Sequence, residues 1–265
     1  DYGKWGFIDK SGQVVIDYKY DKARGFYEGL CPVRIGDENN GEWLFIDKNG
    51  NEVISGGYKD ASIFVDGLAP VKFGEDKDEK YGYIDREGNI AIEPVFDIAS
   101  IFSEGFALYA EAGSRVKTGL IDREGNVIVE AQYAFCSSFS EGLSAVKVSF
   151  DENKADWGFI NSSGEFVIEP QYADAGVFRE GLAPVQVGNI ANGKWGFINK
   201  NGEMVIEAKF DAASSFSEGL AAVRIGDENT GTWGYIDKTG NFVIEPAFAA
   251  AYDFGEGLAP AAIKK

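Results

Sequence analysis

The sequence predicts an all-β fold of seven tandem units, each about 38 residues long and made of three short strands. Three observations predict it. One phrase recurs from end to end, further apolar and glycine slots keep its phase, and every unit holds β-branched and aromatic runs bounded by turn residues. Of the 265 residues 45% are apolar, enough for a sizeable core, and 34 Gly with 7 Pro supply the turns. Residues 1–265 read as a single repeat domain, with units beginning near positions 4, 42, 80, 117, 156, 194 and 232.

The first strand is the phrase itself. It reads Trp5-Gly6-Phe7-Ile8-Asp9, Trp43-Leu44-Phe45-Ile46-Asp47, Tyr81-Gly82-Tyr83-Ile84-Asp85 and Thr118-Gly119-Leu120-Ile121-Asp122, then Trp157-Gly158-Phe159-Ile160-Asn161, Trp195-Gly196-Phe197-Ile198-Asn199 and Trp233-Gly234-Tyr235-Ile236-Asp237. Successive starts lie 38, 38, 37, 39, 38 and 38 residues apart, and all five Trp occupy the first slot. Asp-Lys-x-Gly follows and suits a type I turn, with Asp capping the first position and Gly tolerating positive φ at the fourth. The second strand is the Val-Ile run, as in Phe166-Val167-Ile168. Glu-Pro at 93–94, 169–170 and 245–246 is expected to end it, because Pro cannot donate to a ladder.

The stretch that follows, Asp211 to Phe216 for example, is too short and too Ser-rich for a helix and reads as loop with one 3₁₀ turn. An acid-Gly pair then precedes the third strand, whose period-two alternation is clear at Val33-Arg34-Ile35 and Val223-Arg224-Ile225. The core is expected to be the Trp slot (Trp5, Trp43, Trp157, Trp195, Trp233) with the Phe that recurs twenty-one residues later (Phe26, Phe64, Phe102, Phe139, Phe178, Phe216, Phe254). The alternative for the indoles is an exposed stacking platform for sugars or a cation. Connections between units, such as GDENNG at 36–41, are polar and Gly-containing.

The Lys-Trp-Gly-Phe-Ile-Asn/Asp-Lys-x-Gly phrase, complete at Lys4–Gly12 and Lys194–Gly202, resembles the WG-repeat (KWG repeat) family of bacterial proteins over essentially the whole chain. The Val-Ile-Glu-Pro and Phe-x-Glu-Gly-Leu-Ala-Val elements fit the same repeat. The fourth unit departs at Thr118 and Leu120, and the second at Leu44. The resemblance implies an array on a bacterial surface or secreted protein that mediates binding, and it supplies no catalytic residues.

Units of this kind must stack to bury their faces, either as a propeller-like ring or as an open β-superhelix. The end units carry the same apolar slots as the middle ones, which favours the ring. The start on Asp1 rather than Met is expected of a segment cut from a longer array.

A net charge of −18 disfavours nucleic acid and anionic membranes, and no apolar run is long enough for membrane insertion. The absence of His removes Ser–His and Cys–His relays and imidazole metal ligands. No cofactor and no metal is expected. In GDENNG and GDENTG, Asp37, Asn39 and Gly41, and Asp227, Asn229 and Gly231, echo a calcium loop, but Lys48 and Lys238 stand where its bidentate acid belongs. Cys31 and Cys136 fill small-residue slots and read as buried free thiols.

Two recurring acid sets bear on an enzymatic reading: Asp17, Glu93, Glu130, Glu169, Glu207 and Glu245, and Glu28, Asp66, Glu104, Glu141, Glu180, Glu218 and Glu256. A catalytic pair is needed once, whereas these recur, so turn and pairing roles are expected. The third-strand cations Arg34, Lys72, Lys147 and Arg224, with Gln186 in the same slot, form a row that either neutralises nearby acids or binds an anion or glycan. Tyr18, Tyr20 and Tyr27 with Lys19, Lys22 and Arg24 make the first unit locally basic and aromatic, by recognition or by end-unit drift.

The expected function is a non-enzymatic, extracytoplasmic scaffold for an unknown protein or glycan partner. The alternatives are a glycan-active enzyme using an Asp/Glu pair and a structural spacer in a larger surface protein. A unique polar residue in an apolar slot would favour the enzyme, and only Thr118 and Glu111 come near that description.

Overall fold

The computed structural model describes residues 3–37, 40–74, 78–113, 115–151 and 153–263. Among the described residues its strands form six four-stranded antiparallel sheets and a two-stranded sheet at either end. Each four-stranded sheet has the strand number of a propeller blade. The chain divides into two compact units, residues 1–131 and 132–265, both built from these same sheets.

One sheet describes the rest. Asp174–Ala175 pairs with Ala183–Val187, which pairs with Lys194–Ile198, which pairs with Met204–Phe210. This sheet takes the last half of one sequence repeat and the first half of the next. The offset leaves Trp5–Ile8 with Val14–Tyr20 at one end, and Ala250–Ala251 with Ala261–Ala262 at the other. The expected loop with a 3₁₀ turn is instead a two-residue outer strand, so each repeat has four strands rather than three. Its backbone is drawn into the ladder by the third strand, as where Asp60 faces Lys72 and Ala61 faces Val71.

Proline does not end the second strand either. Ile90–Phe96, Phe166–Tyr172 and Phe242–Phe248 run straight through Pro94, Pro170 and Pro246. Each Pro sits on an outer strand at a bulge, where the register slips between Ile92 and Phe96 for example, so its missing N–H costs no ladder bond. The Asp-x-x-Gly turn forms as expected. Gly12 N–H donates to Asp9 O (3.0 Å), and the Asp9 carboxylate accepts from the N–H groups of Ser11 (2.8 Å) and Gln13 (3.0 Å).

Pairing runs within a sheet, whereas packing runs between sheets. The Phe of slot twenty-one stacks on the aromatic of slot three from its own repeat, which belongs to the preceding sheet. Centroids are 5.0 Å apart for Phe45–Phe64 and Phe159–Phe178, and 4.9 Å for Phe197–Phe216. The sequence repeat is therefore the unit of core packing, and the sheet is the unit of hydrogen bonding. Burying one such ring contributes about 1.5–3 kcal/mol.

The acid-Gly pair also links sheets. Glu28, Asp66, Glu104, Glu141, Glu180, Glu218 and Glu256 all hold φ between 49° and 56°, and the following Gly is left-handed too. Together they make a two-residue hairpin turn of type I′, a place that usually takes Asn-Gly. A carboxylate there gains a partner beyond its own turn. Gly67 N–H donates to Glu28 (3.0 Å), Gly219 N–H to Glu180 (3.1 Å) and Gly257 N–H to Glu218 (2.9 Å). These bonds offset the strain of left-handed Glu.

Cys31 and Cys136 are buried thiols that form no disulfide among the described residues. The Cys31 thiol donates to Arg24 O (3.1 Å), and burial pushes its pKa up from 9.0 to about 12. Cys31 is expected to meet a thiol reagent only on unfolding. Above pH 9 the fold is expected to lose stability, because the unfolded thiol ionises there while the folded one keeps its proton to about pH 12. Reagent uptake without denaturant at the rate of an exposed thiol would contradict this.

Candidate functional site

The indoles are not the deepest aromatics. Trp43 is buried, Trp157, Trp195 and Trp233 are half-buried, and Trp5 is exposed, whereas Phe45, Tyr83, Phe159, Phe197 and Tyr235 are closed off. The physical reason is position along the strand. Trp and the aromatic two residues later share a face, but Trp stands at the strand end, where one edge of the ring stays open. Within the Phe slot, Phe64, Phe102, Phe139, Phe178 and Phe216 are buried, while Phe26 and Phe254 of the end units are half-buried.

The cation slot lies directly across from the Trp slot. Arg34 faces Trp43, Lys72 faces Tyr81, Lys147 faces Trp157, Gln186 faces Trp195 and Arg224 faces Trp233. A third residue completes each row from the outer strand. It is Asp60 beside Lys72, Asp174 beside Gln186, Phe135 beside Lys147 and Ala212 beside Arg224. In the first four-stranded sheet it is Lys22 beside Arg34. That row reads Lys–Arg–Trp, like charge on like charge, and no other described row does.

This row lines a cavity of about 1070 Å³ in the first compact unit, together with Trp5, Arg24, Lys59 and Asp60. Of its acids, Asp21 and Asp60 already have cations, and Asp37 accepts from the Asn40 N–H (2.9 Å). Asp21 accepts both 2.7 Å bonds from Lys4 and one from Gly36 N–H (2.9 Å). The Lys4 hydrogen bond leads in holding the Asp21 carboxyl below its ordinary range, with Arg34 contributing as a nearby charge. Asp60 accepts from Arg24 (3.0 Å) and from the Tyr81 hydroxyl (2.7 Å), and the Arg24 guanidinium lies 5.1 Å from the Trp43 ring centroid.

Arg34 is different. It is 9% exposed, its Nε is buried without an acceptor, and among the described residues it makes no side-chain hydrogen bond or ion pair. Lys59 adds a second uncompensated charge. In the first, third and sixth repeats its slot is the acid of a Lys–Asp pair, as in Lys4–Asp21 and Lys194–Asp211, and in the fourth, fifth and seventh it is Ala. In the second unit the slots hold Glu42 and Lys59, with no ion pair between them among the described residues, and Lys59 turns up at the cavity wall. Sequence reasoning flagged Arg34, Lys22 and Arg24 but missed Lys59. The swapped pair of charges at 42 and 59 was the signal available.

Apart from Asp37 of GDENNG, which lines its wall, the other candidates stay apart from this cavity. Lys72 pairs with Glu79 beside the Tyr81 ring. Lys147 is half-buried next to Trp157, and Arg224 lies 5.8 Å from the Trp233 centroid with its own Nε unpartnered. Of the acids, Asp17, Glu93, Glu130, Glu169, Glu207 and Glu245 are exposed, and the second set occupies the I′ turns. Asp227 of GDENTG spends its carboxylate on the N–H groups of Asn229 and Thr230 (both 2.8 Å) and on the Thr230 hydroxyl; in GDENNG, Asn39 lies outside the described residues.

A family model described as a WG containing repeat matches residues 5–38, 45–75, 81–112, 119–149, 157–189, 195–228 and 233–264. No curated protein sequence matches the chain. Among solved structures it is similar to Hsv2 from Kluyveromyces lactis, at 14% identity and a TM-score of 0.46 over 80% of this chain and 70% of that one. It is also similar to the acylaminoacyl peptidase from Pyrococcus horikoshii, at 10% identity and 0.46, covering 90% of this chain and 48% of that one. A third is TolB from Acinetobacter baumannii, at 11% identity and 0.38, covering 83% and 64%.

Proposed function

The chain belongs to the WG-containing repeat family, and from that premise we propose that it is a non-enzymatic binding scaffold whose first compact unit receives a carboxylate-bearing glycan. The observation that carries this reading is Arg34, a guanidinium held nine-tenths out of water with no acceptor of its own. Leaving a charge buried and unpaired costs several kcal/mol, and a ligand carboxylate relieves that cost. Guanidinium geometry suits a carboxylate in bidentate fashion. Lys59 reinforces the charge, and Trp5 offers an exposed indole for a sugar face. A glycan ligand accords with display outside the cytoplasm.

The test is a glycan array holding matched neutral, uronate-bearing and sulfated sugars, followed by titration of the best binder against intrinsic Trp fluorescence. Arg34→Met keeps the shape and removes the charge. It is expected to weaken carboxylate binding about 10–100-fold, the worth of one charge-assisted hydrogen bond, while the melting temperature holds or rises. Equal binding by the variant, or a preference for neutral sugars, would refute the assignment.

A further inference from the structure

The second compact unit repeats the backbone frame of Arg34 five repeats further along the chain. Arg224 takes the slot of Arg34, facing Trp233 as Arg34 faces Trp43. Asp211 takes the slot of Asp21, and its N–H donates to Arg224 O (2.8 Å) as the Asp21 N–H does to Arg34 O (2.8 Å). Gly226 N–H donates to the Asp211 carboxylate and Gly36 N–H to that of Asp21, both at 2.9 Å. Trp195 holds the slot of Trp5.

The side chains around the two guanidinium groups differ. Across the ladder Arg34 meets Lys22, whereas Arg224 meets Ala212. Ser214 holds the slot of Arg24, and Ala249 and Ala250 hold those of Lys59 and Asp60. Three alanines thus replace three charges, and Arg224 is the one cation of its row.

That charge has no answer among the described residues. The guanidinium lies 5.8 Å from the Trp233 centroid, its Nε is buried without an acceptor, and it makes no side-chain hydrogen bond or ion pair. Asp211, on which it acts as a nearby charge, is engaged by Lys194 and by Gly226 N–H. Asp227, three residues on, spends its carboxylate on Asn229 and Thr230. In a chain of net charge −18 acids are plentiful, yet none is set against this guanidinium. A guanidinium edge stripped of water and left unpaired favours an incoming carboxylate, whose two oxygens match its fork.

We propose that Arg224 is a second anion site, which takes a ligand with a single carboxylate, a uronate sugar, beside Trp233. The row Ala212–Arg224–Trp233 offers one positive charge, so a second negative charge on the ligand gains nothing there. Trp195 and Trp233 are both half-buried and leave indole surface for a sugar face. The site takes the same chemical group as Arg34 but uses none of its residues, and either site stands without the other.

The test uses the full chain, isotope-labelled and carrying Arg34→Met, so that the first site is silent. Glucuronate is expected to move the NMR signals of the Arg224 Nε–H and the Trp233 indole N–H together, and glucose to move neither. Arg224→Gln is expected to weaken glucuronate binding at least tenfold, read at Trp233. Ala212→Asp sets an acid across the ladder from Arg224, as Asp60 stands beside Lys72. It is expected to weaken binding by a similar factor while raising the melting temperature, a combination that damage to the fold cannot imitate. The proposal is overturned if glucuronate leaves both signals in place, if glucose moves them as far, or if binding survives both substitutions. In the unsubstituted chain, a response at Arg34 alone defeats this site and spares the first, and a response at Arg224 alone does the reverse.

Discussion

Phe197→Ala is expected to destabilise the protein by about 3–5 kcal/mol, read as a shift of the denaturation midpoint. Phe197 is fully buried, and its ring lies 4.9 Å from that of Phe216, centroid to centroid, across two neighbouring sheets. Truncation removes a transferred ring and leaves a cavity that the short strands of two sheets cannot close. The comparison that makes the result diagnostic is Trp195→Ala. Trp195 has the larger side chain but is half-buried at the strand end, so its removal is expected to cost clearly less. If Trp195→Ala proved the more damaging, the indole slot would be the core after all and the packing described here would be wrong.

Gly196→Leu is expected to cost about 3 kcal/mol or more, through overpacking rather than through a cavity. A Cβ at Gly196 would lie 2.5 Å from Ile206 O and 2.8 Å from Ala208 N, both backbone atoms of the bulged neighbour that cannot swing aside. The second repeat shows the remedy. It carries Leu44 in this slot, and on the facing bulge it carries Gly56-Gly57, with Gly57 at φ 58°. Adding Ala208→Gly and Lys209→Gly to Gly196→Leu is therefore expected to recover part of the lost stability in thermal melts. Failure of the triple variant to improve on the single one would show that the bulge does not provide the room.

Much of this architecture was legible before any coordinates. The Asp-x-x-Gly turns, the Phe slot and the small-residue places of Cys31 and Cys136 repeat in phase, and repetition filters out chance. Proline was misjudged because its rule depends on whether the strand is central or outer, which no single strand discloses. The two-residue strand at Asp60–Ala61 was missed because its partner, Lys72–Val71, lies ten residues or more away and its own composition is that of a loop. At the candidate site, Arg34 stood out as a cation in a strand. That no acid faces it across the ladder follows only from the cross-strand neighbour being Lys22 rather than the Asp60 or Asp174 of other rows.

The sequence by itself determined the repeat length, the turns, the alternation of the strands and which side chains every unit must bury. These are local and periodic properties, set by φ preference and by side-chain period along a few residues. Only the tertiary structure decided that sheets form half a repeat out of phase with the motif, that indoles lie at the rim while the next aromatic fills the core, and that Arg34 and Lys59, near Trp43, make no ion pair among the described residues. Hydrogen-bond partners and counter-charges are met across strands, and which charge is left over is known only once every other one has been paired.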